Sequence, residues 1–179
     1  GGSTSFSTMQ VADAARFLAQ AGFDAQAQMT ALPAMLDLAR AGSVELGRAA
    51  DIVSNIMSGF GLEADETRRA ADALVGTFTS SNVTVEMLGQ TMKHVAPIAR
   101  TAGMSLEEAA AMAGLLGNAG IQGENAGTAM RAILTRLAAP TETAAAMVGE
   151  LGVELADAEG NVRSMTAIMA ELEIGRAHV

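Results

Sequence analysis

The stretch Thr67-Arg68-Arg69-Ala70-Ala71-Asp72-Ala73-Leu74-Val75-Gly76-Thr77-Phe78 decides the fold class. Thr67, Ala70, Ala71, Leu74, Val75 and Phe78 recur at the i, i+3, i+4, i+7, i+8 spacing of one helical face, and Arg68, Arg69 and Asp72 fall off it. No period-two alternation competes, so a strand is not supported here. Ala49, Ile52, Val53, Ile56, Met57 and Phe60 make a second such stripe upstream, and Met130, Ile133, Leu134 and Leu137 a third downstream. With Phe78 in the core, Phe78→Ala is expected to cost about 3–5 kcal/mol.

Glycines punctuate these stripes where a left-handed C-cap or turn is needed: Gly22, Gly42, Gly59 with Gly61, Gly103, Gly120 with Gly123, and Gly149 with Gly152. Start signals follow several of them. Ser105-Leu106-Glu107-Glu108 has the S-x-x-E form of a capping box, and Asn82 or Thr84 is placed to cap the helix through Met92. Pro97, late in that helix, predicts a kink or an end. Together these signals predict helices near 9–21, 24–41, 44–58, 63–79, 84–101, 105–119, 124–138, 141–150 and 164–173, joined by short loops. The class is therefore all-α, a multi-helix array of short antiparallel helical hairpins. Gly22, Gly61 and Gly103 open successive segments, and Gly47, Gly89 and Gly127 fall inside the helices that follow, at intervals of about 40 residues, which suggests stacked hairpins. Gly152 to Arg163 reads differently: turn residues between two short apolar stretches fit a small β-hairpin near 153–163.

Composition narrows the function. Half of the 179 residues are hydrophobic but only 3% are aromatic, so the core must be built from Ala, Leu, Met, Val and Ile packed through small faces. The net charge of −9 and the scatter of the 11 basic residues argue against neutralising nucleic-acid phosphates, and no nucleic-acid partner is expected. Absence of cysteine removes disulfides, thiolate chemistry and Cys-type zinc sites. No basic-then-apolar leader opens the chain, and the longest charge-free stretch, Ala109 to Gly123, is shorter than a membrane span and contains Asn118 and Gln122. Residues 1–8 read as a disordered start, 9–173 as the helical segment, and Ile174 to Val179 as the translation of a sequencing adapter, excluded from functional reasoning along with His178.

The chemical motifs all resolve into structural ones. Gly59-Phe60-Gly61-Leu62-Glu63-Ala64 has the form G-x-G-x-x-A, but a dinucleotide fingerprint follows a strand and here a helix precedes it. Asp65 with Glu66, and Glu107 with Glu108, sit in first helical turns, where negative charge complements the helix dipole. His94 is the lone histidine outside the excluded tail and reads as a surface residue; it has no identifiable nucleophile or second metal ligand. Asn82-Val83-Thr84 is a sequon in form but an N-cap in use. The acidic turn Asp157 to Gly160 lacks the rest of a calcium loop. Gly123-Glu124-Asn125-Ala126-Gly127, a charged G-x-x-x-G at a helix start, predicts close backbone approach between helices. The twelve Met are adaptable packing units whose spacing favours the core. No catalytic, cofactor-binding or metal-binding residue is assigned, and neither a cofactor nor a small-molecule substrate is expected.

Gly103-Met104-Ser105-Leu106-Glu107-Glu108, followed by Asn118-Ala119-Gly120-Ile121-Gln122-Gly123-Glu124-Asn125-Ala126-Gly127-Thr128-Ala129-Met130-Arg131, closely resembles the core region of phage tail tape measure proteins. Asn82 to Gly89, Val95 to Ala99, Leu137 to Pro140 and the turn at Asp157 to Gly160 are similar to that family too, and the resemblance covers roughly Ala12 to Leu172. It implies a structural role without catalysis. The tape measure runs down the growing tail tube, its length sets the number of tube rings, and it leaves before DNA enters the host. The implied partners are the tail tube protein, tail assembly chaperones and other tape measure chains, with membrane contact only during ejection. The implied place is the virion, inside the tail tube, after assembly in the host cytoplasm. The runner-up reading is a membrane-active or pore-forming helical segment, motivated by a mean hydropathy of +0.28 and the apolar stretch around Leu115 to Ile121. A small helical enzyme is the third.

Overall fold

A computed structural model describes residues 6–157, 163, 167, 168 and 171. Among them run eight α-helices: α1 (Thr8–Gln20), α2 (Ala25–Ala41), α3 (Leu46–Phe60), α4 (Thr67–Ser80), α5 (Val85–Thr101), α6 (Leu106–Asn118), α7 (Gly123–Ala138) and α8 (Glu142–Glu150), with a single 3-10 turn, Ala64–Glu66, leading into α4. Each expected helix from the first to the eighth is present to within about two residues at most ends. The exception is the start of the fourth, where the 3-10 turn occupies 64–66.

The helices form two layers. In one, α1 packs on α3, α3 on α5 and α5 on α7; in the other, α2 packs on α4 and α4 on α6. Each odd helix and the even helix after it make a hairpin, and the hairpins stack side by side as a short solenoid. The odd helices start at 8, 46, 85 and 123, intervals of 38, 39 and 38 residues. That is the true period behind the glycine spacing. Gly22, Gly61 and Gly103 all sit at the turn from odd to even helix with positive φ. Gly89 and Gly127 are each the fifth residue of their helix. Gly47 is the second residue of α3 and so out of register with them, although it too faces the preceding odd helix, at Phe17.

One turn chemistry is used repeatedly. At Gly61 the chain adopts φ 70°, and the amide of the next residue, Leu62, donates to the carbonyl of Met57 five residues back, closing the helix while apolar Leu62 packs against the core. The same bond joins Phe23 to Leu18, Val44 to Ala39, Met104 to Ala99, Ile121 to Leu116 and Val153 to Val148. In the α2–α3 link the left-handed residue is Ser43 rather than the Gly42 expected to do this, which is right-handed. The starts are capped as their sequences direct. Ser105 Oγ accepts from the Glu108 amide at 3.1 Å, and Glu108 reaches back to the Ser105 amide at 3.0 Å; of the two candidates at the start of α5 it is Thr84 that caps, accepting from the Met87 amide.

The core is continuous from Leu18 through Met35, Leu38, Leu46, Ile56, Leu74, Leu88 and Met92 to Leu106 and Met130, all 2% exposed or less. Its small members, among them Ala49, Ala50, Ala70, Ala109 and Ala113, let the layers approach closely. Met35, Met57, Met92, Met104 and Met130 are buried, whereas Met9, Met29 and Met147 are exposed. The α4 stripe is corrected at its end: Thr77 takes the buried position, its hydroxyl donating to the Ala73 carbonyl, and Phe78 is only partly buried. Full-core destabilisation is therefore not expected of Phe78. Neither Pro33 nor Pro97 ends its helix; α5 continues through Pro97 to Thr101, whose hydroxyl donates to the Pro97 carbonyl. Of the β-hairpin expected near 153–163 only 153–157 and 163 are described, and of the helix expected at 164–173 only 167, 168 and 171. Among those described there is no strand, and the Arg163 amide donates to the Leu155 carbonyl at 3.0 Å. Residues 1–5 and 172–179 also lie outside. Phe6 packs against the core, and Ser7 caps α1, with Gln10 completing a capping box.

Candidate functional site

The features that distinguish this surface are the seams between successive hairpins. The closest is α5 against α7. A Cβ at Gly127 would lie 2.8 Å from the Thr91 carbonyl oxygen and 2.9 Å from His94 Cβ, so only glycine lets the two backbones meet there. One turn earlier the Gly123 carbonyl accepts from the buried Thr91 hydroxyl at 2.9 Å, a proton shared with the Met87 carbonyl. The G-x-x-x-G of α7 is thus a packing face, as its sequence predicts. His94 is half-buried beneath α7, not free on the surface.

Ion pairs stitch the seams on the outside. Arg48 of α3 holds Glu86 of α5 through Nε and Nη2 at 2.7–2.9 Å and also pairs with Asp51. Arg69 of α4 holds Glu107 of α6 at 2.6 and 2.8 Å and Glu66 at 2.8 Å, and Arg68 pairs with Asp37 of α2 at 2.7 Å. The Arg69 hydrogen bond keeps the Glu107 carboxyl below the usual carboxylate range against the opposing effect of burial, and Glu107 raises the Arg69 guanidinium in return. Both partners are 46% exposed, so solvent screening keeps the pair weak, on the order of 0.2–1 kcal/mol. The pairs Arg48–Glu86 and Arg69–Glu107 each span 38 residues, one repeat. Sequence reading placed Glu66 and Glu107 in first helical turns but missed these partners. Only the 38-residue period could have found them.

Between α4 and α6 the packing is looser, and a shallow groove of about 400 Å³ opens, lined by Gly76, Thr77, Ser80, Gly114, Leu115 and Asn118. Leu115 is 70% exposed there. The Gly59 to Ala64 motif lies at the end of α3 and its αL turn, with a helix before it where a dinucleotide site needs a strand. Asp157 is described, while the rest of its acidic turn lies outside the described residues. Among the described residues no group of His, Cys, Asp or Glu is placed to hold a metal ion, and no helix is long and apolar enough to cross a membrane. Among the described residues the arrangement offers interlocking helical surfaces.

A family model for phage-related minor tail proteins matches residues 1–175. The chain belongs to this family. It is also 36% identical over 177 residues to a tape measure protein of Pneumococcus phage Dp-1, a match covering 99% of this chain and 15% of that protein. A probable tape measure protein of Escherichia phage P2 is 35% identical over 173 residues, 97% of this chain and 21% of that relative. The phage tail family member thus spans about a fifth or less of the length of these relatives. No solved structure matches it significantly. A phage tail structural protein is what the resemblance around Gly103 to Arg131 implied, and the family places the chain among tail components.

Proposed function

We propose that this chain is a non-catalytic segment of a tape measure protein, helping to set tail length during assembly and leaving the tail as DNA is ejected. The observation that carries the proposal is identity of 35–36% to two tape measure proteins along nearly the whole chain. The solenoid supports it physically, because a stack of hairpins spaced 38 or 39 residues apart can gain or lose one unit while the others keep their neighbour contacts. Its alanine-paved faces also give up little burial when separated, about 0.8 kcal/mol per CH₂, so the same chain can be drawn out as long helices. The proposed partners are the tail tube protein, tail assembly chaperones and other tape measure chains. The proposed place is inside the tail tube, reached from the host cytoplasm during assembly.

The test is to duplicate residues 85–122, one repeat, in the parent phage gene and measure tails by electron microscopy. Drawn out as continuous helix at 1.5 Å per residue, the 38 added residues lengthen the tail by about 57 Å. Tails of unchanged length would refute the ruler role for this segment. The membrane-active reading is left without a spanning helix among the described residues and is not carried further.

A further inference from the structure

We propose that the link Ser81–Thr84 is a hinge, along which the block α5–α7 parts from α1–α4 while each block stays folded. Among the helix links before α7, it is the one not closed by a left-handed residue: Ser81 is extended at φ −143°, and the following residues make no backbone bond to the end of α4. The backbone of Asn82 is held instead by side chains from one repeat later. Its amide donates to Asn118 Oδ1 at 2.7 Å, and its carbonyl accepts from Gln122 Nε2. Asn82 is exposed, so both groups find water at once when the clasp opens, and opening leaves no orphaned polar group.

Three further features lie on the same parting line. The α4–α6 contact is made through Gly114 against Ser81 and Thr77, beside the 400 Å³ groove. In the other layer, Gly89 meets Ile52 and Gly59 meets Ala96, so at those two points a glycine rather than a side chain faces across the line. Finally, the two one-repeat ion pairs, Arg48–Glu86 and Arg69–Glu107, both cross this line and are solvent-exposed, which makes the closed form sensitive to salt. By contrast the α5–α7 seam is interlocked at backbone level by Gly127 and Thr91, and it moves as part of the second block. The hinge stands independently of the tape measure role.

The chain contains no cysteine, so single thiols report opening cleanly. Thr77→Cys places one between α4 and α6. Ser54→Cys places one two turns from Gly47 on the same face of α3, opposite the Ile52 side that meets α5; the two parent residues are 8% and 4% exposed. Under native conditions an aromatic disulfide reagent is expected to label Thr77→Cys about tenfold faster than Ser54→Cys, and faster again in 1 M salt, as for local rather than global opening. Adding Asn118→Ala is expected to speed labelling at position 77 severalfold and leave position 54 unchanged. Equal rates at the two positions, or equal acceleration of both by Asn118→Ala, would overturn the hinge. If Thr77→Cys does not fold, hydrogen exchange of the Asn118→Ala chain decides. Faster exchange confined to the facing surfaces of α3–α6 supports the hinge, and uniform or no acceleration overturns it.

Discussion

Gly127 and Gly76 are both mid-helix glycines, yet the seams require opposite outcomes when each is replaced by alanine. At Gly76 nothing lies within 4 Å of a new Cβ, so Gly76→Ala is expected to gain the ordinary helix preference of about 0.5–1 kcal/mol. At Gly127 the same gain is opposed by a Cβ set 2.8 Å from the Thr91 carbonyl oxygen and 3.3 Å from Thr91 Cα. Those are backbone atoms and cannot rotate away, so α7 must retreat by roughly half an ångström or more to restore contact distance. Overpacking of this kind costs about 1–3 kcal/mol, leaving Gly127→Ala destabilised by about 1 kcal/mol and the two variants about 2 kcal/mol apart. Thermal unfolding followed by far-UV circular dichroism should therefore separate them by about 4–8 °C, with wild type between. If Gly127→Ala melts at or above wild type, the close α5–α7 seam is not present in solution.

Leu88 is fully buried and Phe78 only partly, so Leu88→Ala is expected to cost about 2–5 kcal/mol in urea unfolding and Phe78→Ala clearly less, reversing the order that side-chain size alone suggests. Ser105→Ala removes the capping box of α6 and should cost about 1 kcal/mol, whereas Ser105→Asp should retain most of the stability. Because Arg69 depresses the folded-state Glu107 carboxyl, the pair contributes stability that is present above the unfolded-state carboxylate range and is lost as pH falls through the lower folded value. Glu107→Gln should thus lower stability by a few tenths of a kcal/mol at neutral pH, with the difference vanishing in acid and in 1 M salt; a pH-independent difference would locate the effect in packing instead.

The helices were legible because their signals are local. The stripes from Thr67 and from Ala49, the capping box at Ser105 and the glycines before Phe23, Leu62 and Met104 all act within five residues, and the structure places eight helices where they direct. The resemblance around Gly103 to Arg131 was legible for a different reason: it is a likeness of composition and order that no packing argument supplies. The surface roles were less so. His94 read as free because nothing within its own helix announces α7 lying over it, and Phe78 read as core because helical periodicity cannot tell Thr77 from its neighbour at the edge of a stripe.

The sequence by itself determined the all-α class, most helix boundaries, the capping box at Ser105 and the character of the core, since each rests on backbone preference and on the apolar period of a single helix. Only the tertiary structure decided that odd and even helices segregate into two layers, that Arg48 finds Glu86 and Arg69 finds Glu107 one repeat away, that Gly127 marks the closest seam, and that Asn118 and Gln122 hold the turn at Asn82. These depend on which faces meet across 32 to 40 residues of chain, and the physical chemistry of any one helix is compatible with several such pairings.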